Sequence, residues 1–539
     1  MKENETLRMP NQPPHNGTVS RDEQVKQLSD ELNSWDVLVI GGGATGLGVA
    51  LDAAVRGYKT LLVEQSDFAK GTSSRSTKLV HGGVRYLAQG DIKLVREASV
   101  ERGRLCRNAP HLVKNQTFII PIYNYWDKIK YTLGLKMYDW ISGRLTMGSS
   151  IFLSRKKTLR DLPGIKEKGL LGGVLYHDGQ FDDSRLAINL VQSIVEKGGC
   201  AVNYVKVTGL LKNAQGHIEG AEVQDIETGS HYKVRAKAVI NATGVFVDDI
   251  LHMDNPGSQK SICVSQGVHL VFDKSFYPSD HALMIPETSD GRVLFAVPWH
   301  DKVVLGTTDT PVKEASLEPQ ALEKEISFIL ETAAEYFTRK PTREDVLSVF
   351  AGLRPLAAPQ GESQKTKEIS RSHKIIVSAS HLFTILGGKW TTYRKMGEDM
   401  MNRVEKELHW QVRKSGTSTM HIHGYQPEMN WNDPFYFYGS DARDLKSQIN
   451  GSAGQWISDE LKIHKVQVNW AVEHEMARTI EDVLARRTRA LLLNAGESIQ
   501  IAPKVASLMA RKLQKDEAWE KEQVENYTAL AHQYILKTN

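Results

Sequence analysis

The sequence predicts an α/β chain. A dinucleotide-binding domain is assembled from separated segments, an antiparallel-sheet domain is interleaved with them, and a helical domain follows. Three observations carry this. Residues 36–46, Asp-Val-Leu-Val-Ile-Gly-Gly-Gly-Ala-Thr-Gly, read as a strand running into a glycine turn and a helix. Between residues 267 and 310 the pattern changes to short strands with period-two alternation, the mark of an antiparallel sheet. From about residue 405 helical patterns dominate, with long amphipathic stretches at 466–493 and 503–536.

Taken in order, residues 1–34 are polar and rich in Asn, Glu, Gln and Pro, which predicts a mobile tail and no secretory signal. The window 35–55 is the most apolar long stretch. Asp36, Asp52 and five glycines between Gly41 and Gly48 exclude a membrane span there. The turn carries G-x-G-x-x-G at Gly41, Gly43 and Gly46. The first glycine permits the tight turn, the second lets the backbone approach a pyrophosphate, and the third lets the helix pack on the sheet. The helix N-terminus adds N–H groups and a partial positive charge. Glu64 closes the next apolar run, eighteen residues beyond Gly46, near the ~20 of a ribose-binding acid. An acid there favours a free 2′-hydroxyl and argues against NADP. There is no second fingerprint of this kind in the sequence.

Residues 72–86 are too polar for a core element and too rich in potential ligands for a casual loop. A helix is expected over 92–107 and an aromatic, basic stretch follows at 123–145. A helix over 186–197 leads to a strand at 201–207, with hairpin turns at 213–216 and 228–229. Residues 237–244 read as a buried strand ending in a glycine turn. Strands are expected at 291–298 and 302–306, an amphipathic helix at 317–337, and strand-like pieces at 349–354 and 382–388. Residues 357–370 read as a polar surface loop. The domain plan is thus a tail at 1–34, a two-domain region at 35–400 and a helical domain at 405–539. Dinucleotide segments fall at about 35–110, 185–250 and 350–400, and sheet-domain segments at about 110–185 and 250–350.

Composition narrows the function classes. The 539-residue chain is 40% hydrophobic and 24% charged, with a net charge of +4. A general polyanion binder is excluded, so nucleic acid is not an expected partner, and anion binding must come from local clusters. The three cysteines, Cys106, Cys200 and Cys263, form no C-x-x-C. That opposes a disulfide framework, a zinc knuckle or an iron–sulfur cluster and fits a reducing compartment. No metal site is expected. His421-Ile-His423 lacks partners at ligand spacing, and His474-Glu-Met-Ala-Arg478 lacks the second histidine of H-E-x-x-H.

Six motifs recur in one order: Gly41 to Gly46 with Glu64, Lys78-Leu-Val-His-Gly-Gly-Val-Arg-Tyr-Leu, Asn241-Ala-Thr-Gly, Gly306-Thr-Thr-Asp, Gly352-Leu-Arg-Pro-Leu and Gly387-Gly-Lys-Trp-Thr-Thr-Tyr-Arg. Together they resemble the FAD-dependent glycerol-3-phosphate dehydrogenase family from about residue 35 to the C-terminus. More widely the chain is similar to amino-acid-oxidase-like flavoenzymes. The resemblance implies a Rossmann-type FAD-binding domain, an interleaved antiparallel substrate domain and a C-terminal helical domain. It implies FAD rather than NAD. It places Ser73, Ser74, His81, Gly82 and Gly83 along the pyrophosphate and flavin, and Val207, Ala242, Thr243 and Gly244 near the adenosine half. Asp309, Gly387, Gly388 and Lys389 would close around the isoalloxazine and ribityl chain.

A phosphomonoester carries about −1.5 to −2 charges at neutral pH, so its site needs convergent cations, preferably arginines. The family's substrate-site positions match Arg85, Tyr86, His269, Arg354, Arg371 and Lys389. His269 stands at an alternating strand position, where a satisfied structural histidine is the commoner outcome. By resemblance it faces the flavin as general base, its ordinary pKa of ~6.5 suiting that role. The implied reaction oxidises sn-glycerol 3-phosphate to dihydroxyacetone phosphate by hydride transfer from C2 to flavin N5. Arg354 would assist and stabilise charge on the C2 oxygen. In the 123–145 stretch, Lys128, Lys130, Lys136 and Arg144 mix with Trp126, Tyr131, Tyr138 and Trp140. This suits an anionic membrane surface, although the residues alone slightly favour a core helix with a solvated basic face. The resemblance favours a cytoplasmic enzyme held peripherally on the inner face of the cell membrane, with quinone as acceptor. A glycerol-3-phosphate oxidase, passing electrons to oxygen, shares the motifs used and is the nearest rival. An amino-acid oxidase and a non-catalytic flavin-binding protein fit less well. Oligomeric state stays open, a homodimer included.

Overall fold

The computed structural model describes residues 19–30, 34–83, 91–143, 146–288, 291–358, 373–449 and 455–537. One sheet is built around the parallel strands Leu382–Leu386, His231–Asn241, Ser34–Ile40, Thr60–Val63 and Cys200–Val202, in that spatial order. Lys374–Val377 closes one edge antiparallel. The central strand can be uniformly apolar because helices cover it: Val37, Leu38 and Val39 have no exposed surface. Helix Ala44–Val55 packs backbone to backbone against helix Tyr393–Glu407. A Cβ on Gly48 would strike the Tyr393 carbonyl, and one on Gly397 would strike the Gly48 carbonyl.

The second sheet centres on Ile262–Asp273, which pairs antiparallel with Lys302–Gly306 on one side and along its length with Val346–Ala357 on the other. Strands Val113–Ile122 and Gly172–Phe181 extend it. Val346–Ala357 therefore belongs to the substrate sheet, although the sequence division at about 350 assigns most of it to the dinucleotide segments. Its twelve residues alternate no more clearly than a parallel strand, because the C-terminal helices cover the face that would have been polar. The strand's end delivers Arg354 and Pro355 to the boundary between the two sheets.

The expectation of a mobile tail over 1–34 does not hold for Arg21–Ser29, which is helical. Leu28 is buried, and Arg21 binds Asp225 at 2.8 Å. Partners two hundred residues away order this polar segment, and local composition carries no trace of them. The C-terminal region is also less regular than its periodicity predicts. The 466–493 stretch divides into Lys465–His474, a π-helical Asp482–Arg487 and Ala490–Leu493. The break follows from Asp482, whose carboxylate accepts from the amides of Arg478 and Thr479 and starts a new turn. The 503–536 stretch comprises Ala495–Leu513 and Glu517–Ala531, separated at a left-handed Gln514. Between 408 and 435 the chain is largely irregular rather than helical. The expected strand at 201–207 is interrupted at Tyr204, which is left-handed.

Candidate active site

The two sheets meet at a cavity with two lobes. Thr72, Pro355, Gly387, Gly388, Lys389 and Trp390 line both, so the lobes are continuous. The first lobe is walled by Gly41, Gly43, Glu64, Ser73, Val207, Ala242, Thr243 and Gly244. A Cβ on Gly41 (φ +109) would lie 2.8 Å from the Ala242 carbonyl oxygen, and one on Gly46 would strike the Gly41 carbonyl. Only glycine fits either position, so the turn stays thin enough for a pyrophosphate at the helix N-terminus. Glu64 accepts from the amides of Gly42 (2.7 Å) and Ser66 (2.9 Å), which aims its carboxylate at the lobe. Burial pushes its pKa up. Carboxylate oxygens keep further lone pairs for a ribose hydroxyl. This cradle fits the FAD that the motifs imply. Ser73 braces it, accepting from the Ala44 amide through Oγ (2.9 Å) and from Trp390 Nε1 through its carbonyl (2.8 Å).

The second lobe contains His269, Asp309 and Arg354. Ser265, Gly267 and His269 lie on one face of their strand, opposite Arg354, Gly352 and Phe350. The Arg354 guanidinium occupies the space over Gly267 that a Cβ would fill, and its side chain is a quarter exposed. It donates to the Thr308 carbonyl at 3.1 Å and reaches Asp309 at 3.5 Å, while Asp309 is also bound by Ser265. The His269 ring stacks on Phe350 at 4.8 Å. A Cβ on the facing Gly306 would collide with the ring. His269 Nε2 lies 2.9 Å from Thr77 Oγ1, and among the described residues Nδ1 has no hydrogen-bond partner. Burial, then Arg354, then Lys78 hold its pKa well below the ordinary histidine value, so the ring is neutral.

Several expected residues sit elsewhere. Gly46 serves packing, and Ser74 lies behind the wall with its carbonyl bound by Lys78 Nζ at 2.6 Å. Of His81, Gly82 and Gly83, only His81 lines the cavity; the Gly82 amide donates to Asp178. Arg85, Tyr86 and Arg371 lie outside the described residues. The sequence reading singles out neither Thr77 nor Lys78 for a role beside His269. Lys78 is fully buried, bound to both oxygens of Asp183 at 2.8 Å and 5.0 Å from the Trp299 ring. The adjacent acids Asp182-Asp183, placed just before an amphipathic helix, are the signal that could have raised it. Arg292 also lines this lobe.

Helix Tyr125–Ser142 lies outside the substrate sheet. Trp126, Ile129, Leu133, Met137 and Trp140 form one stripe along it, and all are exposed, the two tryptophans by more than 80%. The stripe is not the core face. Tyr138 points inward instead and joins Arg102 (2.7 Å) and Asp178 (3.2 Å), and Asp178 lines the substrate lobe. Among the described residues no helix is long and apolar enough to cross a membrane.

Comparison with known proteins agrees with this geometry. The FAD dependent oxidoreductase family matches residues 36–394, and the C-terminal domain of alpha-glycerophosphate oxidase matches residues 380–520. The chain is 38% identical to a probable mitochondrial glycerol-3-phosphate dehydrogenase of Caenorhabditis elegans, over 91% of this chain and 72% of that protein. It is 36% identical to the mitochondrial enzyme of Bos taurus, over 94% and 74%. A glycerol-3-phosphate dehydrogenase from Bacillus halodurans, solved with FAD, superposes with a TM-score of 0.77 at 29% identity, over 96% of this chain and 99% of that one. An L-alpha-glycerophosphate oxidase from Mycoplasma pneumoniae shares the fold at 16% identity and a TM-score of 0.54, over 72% of this chain and 99% of that one. A glycine-cradled FAD lobe joined to a lobe holding a neutral histidine and an arginine, with matches spanning both domains, places this chain in the FAD-dependent glycerol-3-phosphate dehydrogenase family.

Proposed function

We propose that the chain oxidises the C2 hydroxyl of sn-glycerol 3-phosphate to dihydroxyacetone phosphate, with His269 as proton acceptor. The observation that carries this is the buried, neutral His269 ring, anchored at one nitrogen by Thr77, in the same wall as Arg354. The neutral ring keeps one nitrogen lone pair, which takes the hydroxyl proton. Arg354, fixed by Asp309 and the Thr308 carbonyl, offers its exposed edge to the developing C2 oxyanion. Lys389, on the wall common to both lobes, supplies a cation for the phosphate, and the family resemblance adds Arg85, Tyr86 and Arg371 as further phosphate ligands. FAD, when bound, supplies the hydride acceptor.

Electron delivery to a membrane quinone is part of the same reading. The exposed Trp126–Trp140 stripe supports it, with Lys128, Lys130 and Lys136 on the same helix. Exposed tryptophans near both ends and lysines on the same helix suit the headgroup layer of an anionic bilayer, which supports the reading of a peripheral enzyme on the inner face of the cell membrane. The test is anaerobic addition of sn-glycerol 3-phosphate to the yellow protein, then reoxidation by a quinone analogue or by oxygen. Rapid bleaching with faster quinone reoxidation is expected. A flavin that does not bleach rejects the substrate, and faster oxygen reoxidation favours the oxidase.

A further inference from the structure

The loop over residues 64–78 separates the cavity from the C-terminal domain. On the cavity side it supplies Ala69, Lys70 and Thr72 to the walls, and Thr77 to His269. On its other side three charged residues of the loop each meet a partner more than two hundred residues away. Asp67, fully buried, is bound by Arg486 and by Arg487, whose Nη2 donates at 3.0 Å. Lys70 donates to Glu481 at 2.8 Å. Arg75 donates to the Tyr534 hydroxyl at 3.0 Å and to Glu318 at 2.6 Å.

These contacts form one chain. Glu481 also accepts from Arg486 at 2.7 Å, Lys70 lies 3.9 Å from Glu318, and Tyr534 donates to Glu318 at 2.8 Å. Asp67 therefore has its counter-charges only on the C-terminal helices, whereas Glu318, outside them, also faces Arg75 and Lys70. Undocking would strip Asp67 of both arginines and leave it the neutral Asn203 amide at 3.1 Å, a costly state for an ion taken out of water. Arg486 and Arg487 sit on the Asp482–Arg487 π-helical turn, a geometry concentrated at functional positions. The same loop must also be ordered for the dinucleotide to bind.

We propose that the C-terminal domain is a clasp on the cofactor loop, with Asp67, Lys70 and Arg75 as positioning residues. FAD occupancy and docking of residues 465–534 are then reciprocally coupled. This rests on the FAD assignment of the first lobe. The test uses the full chain, stripped of FAD and titrated with it, as wild type, Glu481→Gln and Tyr534→Phe. Tyr534→Phe removes a single hydroxyl and keeps the aromatic ring. FAD affinity is expected to fall roughly 5- to 50-fold in each variant, within the usual range of coupling between sites. In the wild type, amide hydrogen exchange over 465–474 and 482–487 is expected to be faster without FAD than with it. Glu473→Gln breaks the exposed Lys512 pair in the same domain and serves as control; it should leave both readouts unchanged. FAD affinity within about twofold of wild type in both variants overturns the proposal, even if their thermal stability falls. Equal exchange with and without FAD overturns it too. Failure of the wild type to bind FAD at all would instead reject the cofactor assignment.

Discussion

His269 is surrounded by reasons to stay uncharged: burial first, then the cations of Arg354 and Lys78. A neutral ring is ready to accept a proton at any pH above its depressed pKa. The acid limb of kcat/KM should therefore lie below the usual histidine range. Removing the charge at Lys78 leaves Asp183 facing the ring's neighbourhood and works in the opposite direction. Lys78→Met should move the acid limb to higher pH by ~1 unit or more, visible in a pH–rate profile. His269→Asn should lower turnover by about 10²–10⁴-fold while FAD stays bound, read from the anaerobic bleaching rate and the flavin spectrum. His269 was legible from the alternation of its strand and Arg354 from the Gly352-Leu-Arg-Pro-Leu motif, and both line the cavity. Thr77 and Lys78 were not, because their partners His269 and Asp183 stand 192 and 105 residues away. A lysine in a polar run looks solvated until the fold brings Asp183 to it.

The Tyr125–Ser142 helix is an element whose presence the sequence predicts and whose orientation it leaves undecided. Apolar residues at helical spacing face either a core or an outside partner, and only the fold shows that Trp126 and Trp140 point outward. Changing both tryptophans to Asp should cut binding to anionic vesicles by roughly tenfold or more, since each buried aromatic contributes on the order of 1–3 kcal/mol. Turnover with a soluble acceptor should persist, because neither residue lines the cavity. Co-sedimentation and dye-coupled activity check the two halves. A second element-level contact joins helix Asp183–Glu196 to the irregular 408–441 segment through His423. Burial alone would lower its pKa, but hydrogen bonds to Asp441 (2.7 Å) and Glu196 (2.5 Å) prevail and raise it to about 9. The sign follows from that raised value. His423 stabilises the fold fully below the unfolded pKa of ~6.5, and the contribution is lost as pH rises through about 9. The gap in thermal stability between wild type and His423→Asn should be widest near pH 6 and close by about pH 10. The same segment is where periodicity failed as a guide. Ion pairs to other elements, rather than helical repeats, hold it.

The domain boundaries drawn from the sequence do not divide the stability of the molecule. One hydrophobic cluster contains Val271, Trp299, Val304 and Phe350 of the substrate sheet together with Ile480, Leu484 and Val505 of the C-terminal region. Another joins Val37 and Val39 of the dinucleotide sheet to Phe437 and Trp470. The C-terminal helices supply most of that first cluster, and the four side chains of the substrate sheet close it. Composition and length suggest separate domains, yet the apolar faces at 466–493 and 503–536 pack on one another and also on strand Val346–Ala357 of the substrate sheet. A sequence shows that such a face needs a partner and does not say which. Shared cores imply cooperative unfolding rather than domain-by-domain melting. Loss of far-UV ellipticity and the rise in fluorescence of released flavin should therefore coincide within ~2 °C on heating. Helical signal should not survive at temperatures where flavin has left. A flavin transition well ahead of the ellipticity would mean that the dinucleotide lobe opens while the shared cores persist, and the sheet-to-helix contacts would then matter less than their burial indicates.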